Sequence, residues 1–199
     1  ITANILRICN SAYFGLRRPV DNVGDAIMHM GKKNVLRAVM AAGLSRYFRT
    51  TRGYEVKAAE LWEHAVAVAL MAQIVAARVS RPDDPRLFTA GVLHDIGKMV
   101  MGEFVQEAWQ RIRELTETQN YSFLEAEEEV IGVNHAELGG EIALIWKFPD
   151  EILQAIAFHH RPDRLADGDT VPWIIYLSNQ VCHVMGIGVV TDALAYRAV

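Results

Sequence analysis

An alanine-rich segment over residues 55–79 constrains the fold most strongly, because its apolar residues recur at helical spacing. Within it, the apolar run from Ala65 to Val79 is interrupted by Gln73 and Arg78. That run is shorter than the roughly 20 residues that a membrane span needs, so we expect a buried helix and no membrane span. Elsewhere, Val, Ile and Thr never alternate with polar residues for long enough to predict a strand. The sequence therefore predicts an all-α fold.

Residues that favour helix starts divide the rest of the chain. In chain order these signals are Asp21 or Asn22, Asp84 followed by Pro85, Ser122 with Glu125, and Asn134 with Glu137. The last two pairs have the spacing of capping boxes. We expect the helix after Asp84 to loosen near Gly97, and the helix after Pro149 to end at His159 and His160. The last residues, from Thr191, also look helical.

Gly53 separates the two parts of the predicted fold, a smaller N-terminal helical lobe (residues 1–52) and a helical bundle (residues 53–199). The chain opens inside a helix without a cap before Ile1, so we expect that it was cut from a longer protein. Its net charge of −4 argues against a dedicated nucleic-acid binder, since phosphate backbones require clustered Lys and Arg. Cys9 and Cys182 lie far apart in apolar surroundings, which predicts buried thiols in a reducing cytoplasm.

The segment GVLHDIGKMV, residues 91–100, places two metal-competent side chains next to each other in an apolar run. Neighbouring residues point about 100° apart on a regular helix, so both can face one centre only where a helix ends. Such groups recur at predicted helix ends, apart from His64 in mid-helix, and the set comprises His64, His94, Asp95, His135, His159 and His160. Imidazoles with a carboxylate suit divalent metals such as Zn, Mn, Fe and Ni. If the six converge, they can hold one ion, or two ions bridged by Asp95, which is a device for hydrolysing phosphate esters.

Each of these residues also has a purely structural interpretation. A single histidine in an alanine-rich helix, such as His64, is usually a hydrogen-bonded core residue. His29 and His183 are expected to be surface or hydrogen-bonded histidines, and the acidic stretch from Glu125 to Val130 to favour the helix dipole and solvation. The four tryptophans are expected to anchor the core, with Trp146 near the site, and Lys98 can be a surface lysine.

The order of these histidines around HDIGK resembles the HD superfamily of metal-dependent phosphohydrolases. The flanking segments LRICNSAYFG, AIMHMG, NHAELGGEIALIWKFPDEILQAIAFHH and IIYLSNQVC are similar to the HDOD domain, an HD-related module of bacterial signalling proteins. The resemblance covers nearly the whole chain and lacks only the first helices of that family. It implies an all-helical, HD-like bundle in two lobes that serves as a signalling or regulatory output module. It also implies a divalent metal site (Fe, Mn, Zn, Ni or Mg, one or two ions).

The chain departs from the catalytic relatives at two places. Asn179 stands where HD phosphodiesterases carry a closing Asp, so a metal at His64, His94 and Asp95 would have one carboxylate fewer. The loop RPDRLADGDTVP lacks the Gly-Tyr-Pro tripeptide of the HD-GYP enzymes that act on cyclic di-GMP. We therefore expect a regulatory module that binds a signalling partner, a covalently linked regulatory domain or a nucleotide-type ligand. The alternative is a phosphohydrolase of nucleotides or cyclic dinucleotides, in which Asp95 anchors the metal and Lys98 contacts phosphate.

Overall fold

The structure is a computed structural model that describes residues 2–11, 14–48, 53–54, 58–79, 84–165 and 170–188. Within these residues it consists of helices and contains no strand, which confirms the predicted all-α class. The chain divides into two compact units, Ile1–Arg49 and Thr50–Val199.

Among its described residues, the first unit contains three helices, α1 (Thr2–Cys9), α2 (Val23–Met30) and α3 (Lys32–Phe48). Their apolar faces share a small core that includes Cys9, which is buried as predicted. Of the two candidate caps, Asn22 is the one whose side chain accepts a hydrogen bond from the Asp25 backbone N–H, which begins α2.

The described part of the second unit contains seven α-helices. They are α4 (Ala58–Arg78), α5 (Pro85–Leu93), α6 (Ile96–Thr118), α7 (Phe123–Ile131), α8 (His135–Ile145), α9 (Asp150–Ala157) and α10 (Val171–Val184). Helix α4 packs on α5 and α10, while α8 packs on α6 and α9. A separate aromatic cluster around Tyr54, Trp109 and Phe123 joins α6 to α7.

Within the described residues, α4 is long and apolar enough to cross a membrane. This is weak evidence for a span, because the core helix of a soluble protein meets the same criterion. The buried side chains of α4 pack on two neighbouring helices and include a histidine, His64.

The helix starts that the capping residues predict are largely correct. Asp84 caps α5 with Pro85 in its first turn, and Ser122 and Glu125 form a complete capping box at α7. At α8 the predicted capping box is one-sided, because the Asn134 side chain accepts from the Glu137 backbone N–H while its own amide donates to Glu128.

Three predictions need correction. The break after α5 falls at His94 and Asp95 rather than near Gly97, which lies in the first turn of α6. Gly97 is required there for close packing, since a Cβ at this position would lie 1.9 Å from the His135 carbonyl oxygen.

Helix α9 ends at Ala157, before the two histidines. Two of the four tryptophans do not anchor the core, since Trp146 is 57% exposed and meets Phe148 edge-to-face, and Trp173 is 45% exposed. The helix predicted from Thr191 lies outside the described residues.

Candidate metal centre

Helix ends position most of the predicted metal-binding residues. His94 keeps helical backbone angles at the end of α5, whereas Asp95 leaves them (φ −96°, ψ 18°) before α6 begins. This change of direction turns both neighbouring side chains towards the same interior point. His135 is the first residue of α8, while His159 and His160 follow the end of α9.

These side chains converge, as the helix-end pattern predicts. Two sets have ligand atoms that all lie within 4.8 Å of one another. The four-residue set consists of Asp95, His135, His159 and His160, and the three-residue set of His64, His94 and Asp95. All are buried except His160, which is partly exposed. Asp95 belongs to both sets, so it is the carboxylate around which the centre is built.

Backbone carbonyls orient the imidazoles. The Nδ1 atoms of His94 and His159 lie 2.7 Å from the carbonyl oxygens of Gly91 and Ile156, three residues earlier in each case. An N–H at Nδ1 that donates to a carbonyl leaves the Nε2 lone pair as the coordinating atom, which is the usual arrangement of metal-binding histidines.

The atoms that face the centre fit a cation. His94 Nε2, Asp95 Oδ1 and His159 Nε2 are buried and have no hydrogen-bond partner within the described residues. Asp95 Oδ1 lies 3.5 Å from the Nε2 atoms of both His135 and His159. A buried polar atom without a partner costs about 1–3 kcal/mol, and a metal ion bound to these lone pairs would remove that cost. The residues present therefore can hold a divalent metal ion.

Glu127 supports this centre from α7. Its Oε2 accepts hydrogen bonds from the backbone N–H and Nδ1 of His135, at 2.9 and 2.6 Å, and its Oε1 accepts one from the Tyr54 hydroxyl at 2.9 Å. A carboxylate behind a metal-binding histidine fixes the ring and raises its basicity. The acidic stretch from Glu125 to Val130 predicts solvated side chains and gives no local sign of this role, whereas the Glu127 side chain is fully buried.

Lys98 is buried in the centre, so the interpretation of it as a surface lysine is wrong. Its Nζ donates to Asp95 Oδ2 at 2.8 Å, one turn earlier along the chain. The ammonium group therefore engages one oxygen of Asp95, while the other oxygen, Oδ1, faces the four-residue set.

Asn179 of α10 occupies the other side of the centre. Its Oδ1 lies 2.8 Å from His64 Nε2, while His64 Nδ1 lies 2.9 Å from the Ile187 carbonyl oxygen. Both ring nitrogens of His64 are thus in contact with protein groups. His183, one turn after Asn179, is buried and its ring centre lies 4.7 Å from that of His64. The spacing of four residues between Asn179 and His183 was the available signal that both lie on one face of α10.

The electrostatics favour neutral imidazoles at His64, His159 and His160 and an ionised carboxylate at Asp95. Burial lowers the pKa of His159 to about 4 and that of His160 well below its usual value. Burial also lowers the pKa of His64. Burial alone would raise the pKa of Asp95, but His94 and Lys98 hold it well below its usual value. Against the effect of burial, Glu127 raises the pKa of His135. Neutral imidazole and ionised carboxylate are the forms that bind metal.

Solved structures share this fold. An HDOD domain protein of unknown function from Geobacter sulfurreducens superposes with a TM-score of 0.87 at 23% identity, covering 100% of this chain and 65% of that one. A candidate phosphohydrolase from Shewanella amazonensis SB2B superposes with a TM-score of 0.76 at 23% identity, covering 93% of this chain and 65% of that one. A candidate signal transduction protein from Marinobacter aquaeolei VT8 superposes with a TM-score of 0.73 at 20% identity, covering 100% of this chain and 44% of that one. At these identities the likeness shows the fold.

An uncharacterized protein of Treponema pallidum (strain Nichols) is 23% identical over 164 residues, which are 80% of this chain and 31% of that protein. The chain thus spans about a third of this relative's length. Residues 1–162 match the HDOD domain family, and this range includes every residue of the four-residue set. Because the family match covers most of the chain and the fold agrees with it, the chain belongs to the HDOD domain family.

Proposed function

We propose that this chain is a regulatory module of a bacterial, cytoplasmic signalling protein, and that its centre holds one divalent metal ion. The module acts by binding a partner protein, a linked regulatory domain or a small ligand, without turnover. The contact between Asn179 and His64 carries this proposal.

That contact distinguishes the two ligand sets. In the three-residue set, Asn179 engages His64 Nε2 and Lys98 engages Asp95 Oδ2. A second ion would have to displace both interactions. The neutral amide of Asn179 would also bind that ion more weakly than a carboxylate at the same position. In the four-residue set, His135 Nε2 and His160 Nε2 lie 2.9 Å apart, and an ion that replaced this single contact would be held by Asp95 Oδ1 and three imidazoles.

The predicted stoichiometry is therefore one ion. A set of three imidazoles and one carboxylate suits Zn, Mn, Fe or Ni better than Mg, which prefers oxygen ligands. With one ion, the centre lacks the paired metals that stabilise both the attacking and the leaving oxygen in two-metal phosphoesterases. This supports a regulatory role over a hydrolytic one.

The test is metal analysis of the protein purified without a histidine tag, followed by a panel of phosphodiester and phosphomonoester substrates. We expect about one ion per chain, loss of that ion in Asp95→Ala, and no turnover. Two ions per chain together with turnover that Asp95→Ala abolishes would establish the enzyme instead.

A metal-dependent phosphohydrolase is the second candidate, and one observation favours it. His94 Nε2 is buried without a hydrogen-bond partner within the described residues and lies 3.4 Å from Asp95 Oδ2. If a ligand drew Lys98 away from Asp95, both atoms would face a second ion. In that case Lys98 would contact the substrate phosphate, and Lys98→Met would abolish the turnover measured in the same panel.

A further inference from the structure

The segment between α3, which ends at Phe48, and α4, which begins at Ala58, contains a buried tyrosine, Tyr54. Its ring contacts those of Trp109 and Phe123, with centre-to-centre distances of 6.4 and 5.9 Å. The chain passes through this segment on its way from the first unit to the second. Tyr54 is therefore a point at which the core of the second unit holds the chain that connects the two units.

Gly53 fixes the buried position of Tyr54. Its φ of 109° lies in the left-handed region, and a Cβ on this residue would overlap the backbone carbonyl oxygen of Gly102 in α6. The backbone of the segment thus lies against the backbone of α6 at a distance that only glycine permits. Any other residue at this position would push the segment, and Tyr54 with it, away from α6.

Two routes lead from Tyr54 to His135, a member of the four-residue set. The Tyr54 hydroxyl donates to Oε1 of Glu127, whose Oε2 accepts hydrogen bonds from the backbone N–H and from Nδ1 of His135. Within the described residues, no other group hydrogen-bonds to that Oε1. The second route is through the aromatic rings, since the ring centre of Phe123 lies 6.5 Å from that of His135.

The first route affects how His135 can bind a metal ion. A carboxylate that accepts from the Nδ1–H of a metal-binding histidine fixes the ring with Nε2 towards the ion. Donors at both oxygens of Glu127 hold that carboxylate in one orientation. Without the Tyr54 hydroxyl, Oε1 would be a buried acceptor without a partner, and the carboxylate would be free to turn away from His135.

We propose that Tyr54 is a positioning residue that couples the segment between the two units to the metal centre. The protein with Tyr54 buried binds the metal ion more tightly than the protein with Tyr54 displaced. Because such coupling is reciprocal, a bound ion also holds the segment in place. This inference rests on the proposed function, since it names a route by which the metal centre of a regulatory module communicates with the rest of its protein.

The first test is competition for Zn²⁺ between a chromophoric chelator and the full chain prepared metal-free. Tyr54→Phe keeps the ring and removes the hydroxyl, and we expect it to weaken Zn²⁺ binding by about three- to tenfold, less than loss of the supporting carboxylate would. Gly53→Ala should weaken the binding at least as much, because it displaces the ring as well as the hydroxyl.

Tyr121→Phe is the matched control. Tyr121 packs against the same aromatic cluster, but no hydrogen bond joins its hydroxyl to Glu127 in the part of the chain that the structure describes. It loses the same single atom and should bind Zn²⁺ like the wild type. An equal loss in Tyr121→Phe and Tyr54→Phe would overturn the role of the Tyr54 hydroxyl.

A combined variant separates a role through Glu127 from a general effect on the fold. If the hydroxyl acts through the carboxylate, Tyr54→Phe should change the Zn²⁺ affinity much less in a Glu127→Gln protein than in the wild type. Equal effects in the two backgrounds would overturn the route through Glu127.

The reciprocal effect can be measured in the wild type by limited digestion with trypsin, which cleaves after arginine. Arg52 stands directly before Gly53 in the sequence. We expect saturating Zn²⁺ to slow cleavage after Arg52 several-fold and to leave cleavage after Arg17, an exposed residue between α1 and α2, unchanged. In Tyr54→Phe this protection should be smaller. Equal slowing at the two arginines, or none at either, would overturn the coupling.

The outcomes separate this inference from the proposed function. Equal Zn²⁺ affinities of the wild type, Tyr54→Phe and Gly53→Ala overturn the coupling and leave the metal-binding module intact. A wild type with no affinity for Zn²⁺, Mn²⁺, Fe²⁺ or Ni²⁺ overturns the proposed function and the coupling together. If either variant fails to fold, as its circular dichroism spectrum would show, the trypsin rates of the wild type with and without Zn²⁺ still decide.

Discussion

At the scale of single residues, the proposed content of one ion per chain depends on one amide. Asn179 contacts His64 Nε2 at 2.8 Å, in the position where a carboxylate would complete the three-residue set. Aspartate has nearly the same shape as asparagine and adds the missing charge.

We therefore predict that Asn179→Asp raises the metal content from about one ion per chain towards two. Metal analysis of the wild type and the variant, purified side by side, measures this. A variant that folds with an unchanged helical circular dichroism spectrum and still holds one ion would show that Asn179 does not limit the stoichiometry. Gln180→Glu, one residue further along α10, is a control that adds the same charge at the next position of the helix.

The second residue-scale prediction concerns Glu127, which contacts His135 but is not itself a member of either ligand set. Glu127→Gln keeps an oxygen for His135 and a polar group for Tyr54, so it removes mainly the negative charge. Loss of such a supporting carboxylate weakens metal binding by about 10- to 100-fold. We expect this loss in a metal competition assay, with a thermal midpoint in the metal-free state close to that of the wild type.

The matched control is Glu129→Gln, an exposed glutamate on the same helix, α7. It should leave the metal affinity unchanged. Equal affinities in Glu127→Gln and Glu129→Gln would mean that the hydrogen bond to His135 matters and the charge behind it does not.

At the scale of helices, local signals predicted where helices begin. Asn22, Asp84, Ser122 and Asn134 cap helices as their sequence context indicates, because a cap depends on residues within three positions of it. Features that depend on contacts between distant helices escaped prediction. Glu127 looked solvated within its own stretch, although its partner His135 belongs to the next helix.

The site could be predicted in its members but not in its support. Histidines and an aspartate, most of them at helix ends, are unusual enough to be noticed one by one, and the structure brings them together in two sets that share Asp95, while their binding of metal stays a prediction. The buried state of Lys98 and His183 follows from the packing of several helices on one centre, which a single sequence does not encode locally.

The prediction at the scale of helices concerns the substitution of Gly97. It lies where α6 crosses α8, and a Cβ there would come within 1.9 Å of the His135 carbonyl oxygen, which is rigid backbone. Gly97→Ala must separate the two helices and displace His135. We expect a loss of about 1–3 kcal/mol in unfolding free energy, as for overpacked sites, together with weaker metal binding.

Gly43→Ala is the control for this experiment. Gly43 lies within α3 with open space around its Cβ position. Removing a glycine from a helix interior stabilises it by up to about 1 kcal/mol, so the two substitutions should have opposite signs in urea unfolding. A stabilised Gly97→Ala variant would show that the close approach of α6 and α8 is not required.

At the scale of the whole molecule, the centre links folding to pH. Without metal, the folded chain must hold several imidazoles in their neutral form, since burial lowers the pKa values of His64, His159 and His160. The unfolded chain has no such constraint and takes up protons near pH 6.5. Asp95, with its lowered pKa, keeps its contribution until more acidic pH.

The sign of the pH effect follows from this difference. Between pH 6.5 and 4 these three histidines bind more protons in the unfolded state than in the folded state, so their contribution to the stability of the metal-free protein is fully present above pH 6.5 and is lost as the pH falls. His159, with a folded pKa of about 4, accounts for a loss of about 3 kcal/mol across this window. His135 acts in the opposite direction, because its pKa is raised and its contribution is lost as the pH rises through that value. Since three histidines oppose one, the net effect is destabilisation by acid.

Urea unfolding with a chelator at pH 7 and pH 4.5 measures this, and we expect a clearly lower midpoint at pH 4.5. Saturating metal should raise the midpoint at pH 7 and have a much smaller effect at pH 4.5, because protons compete for the same nitrogens. His29→Gln, on the exposed surface of α2, should leave the pH profile unchanged. Equal midpoints at the two pH values would mean that the imidazoles are protonated alike in the folded and unfolded states. The acid sensitivity inferred from the burial of these histidines would then be wrong.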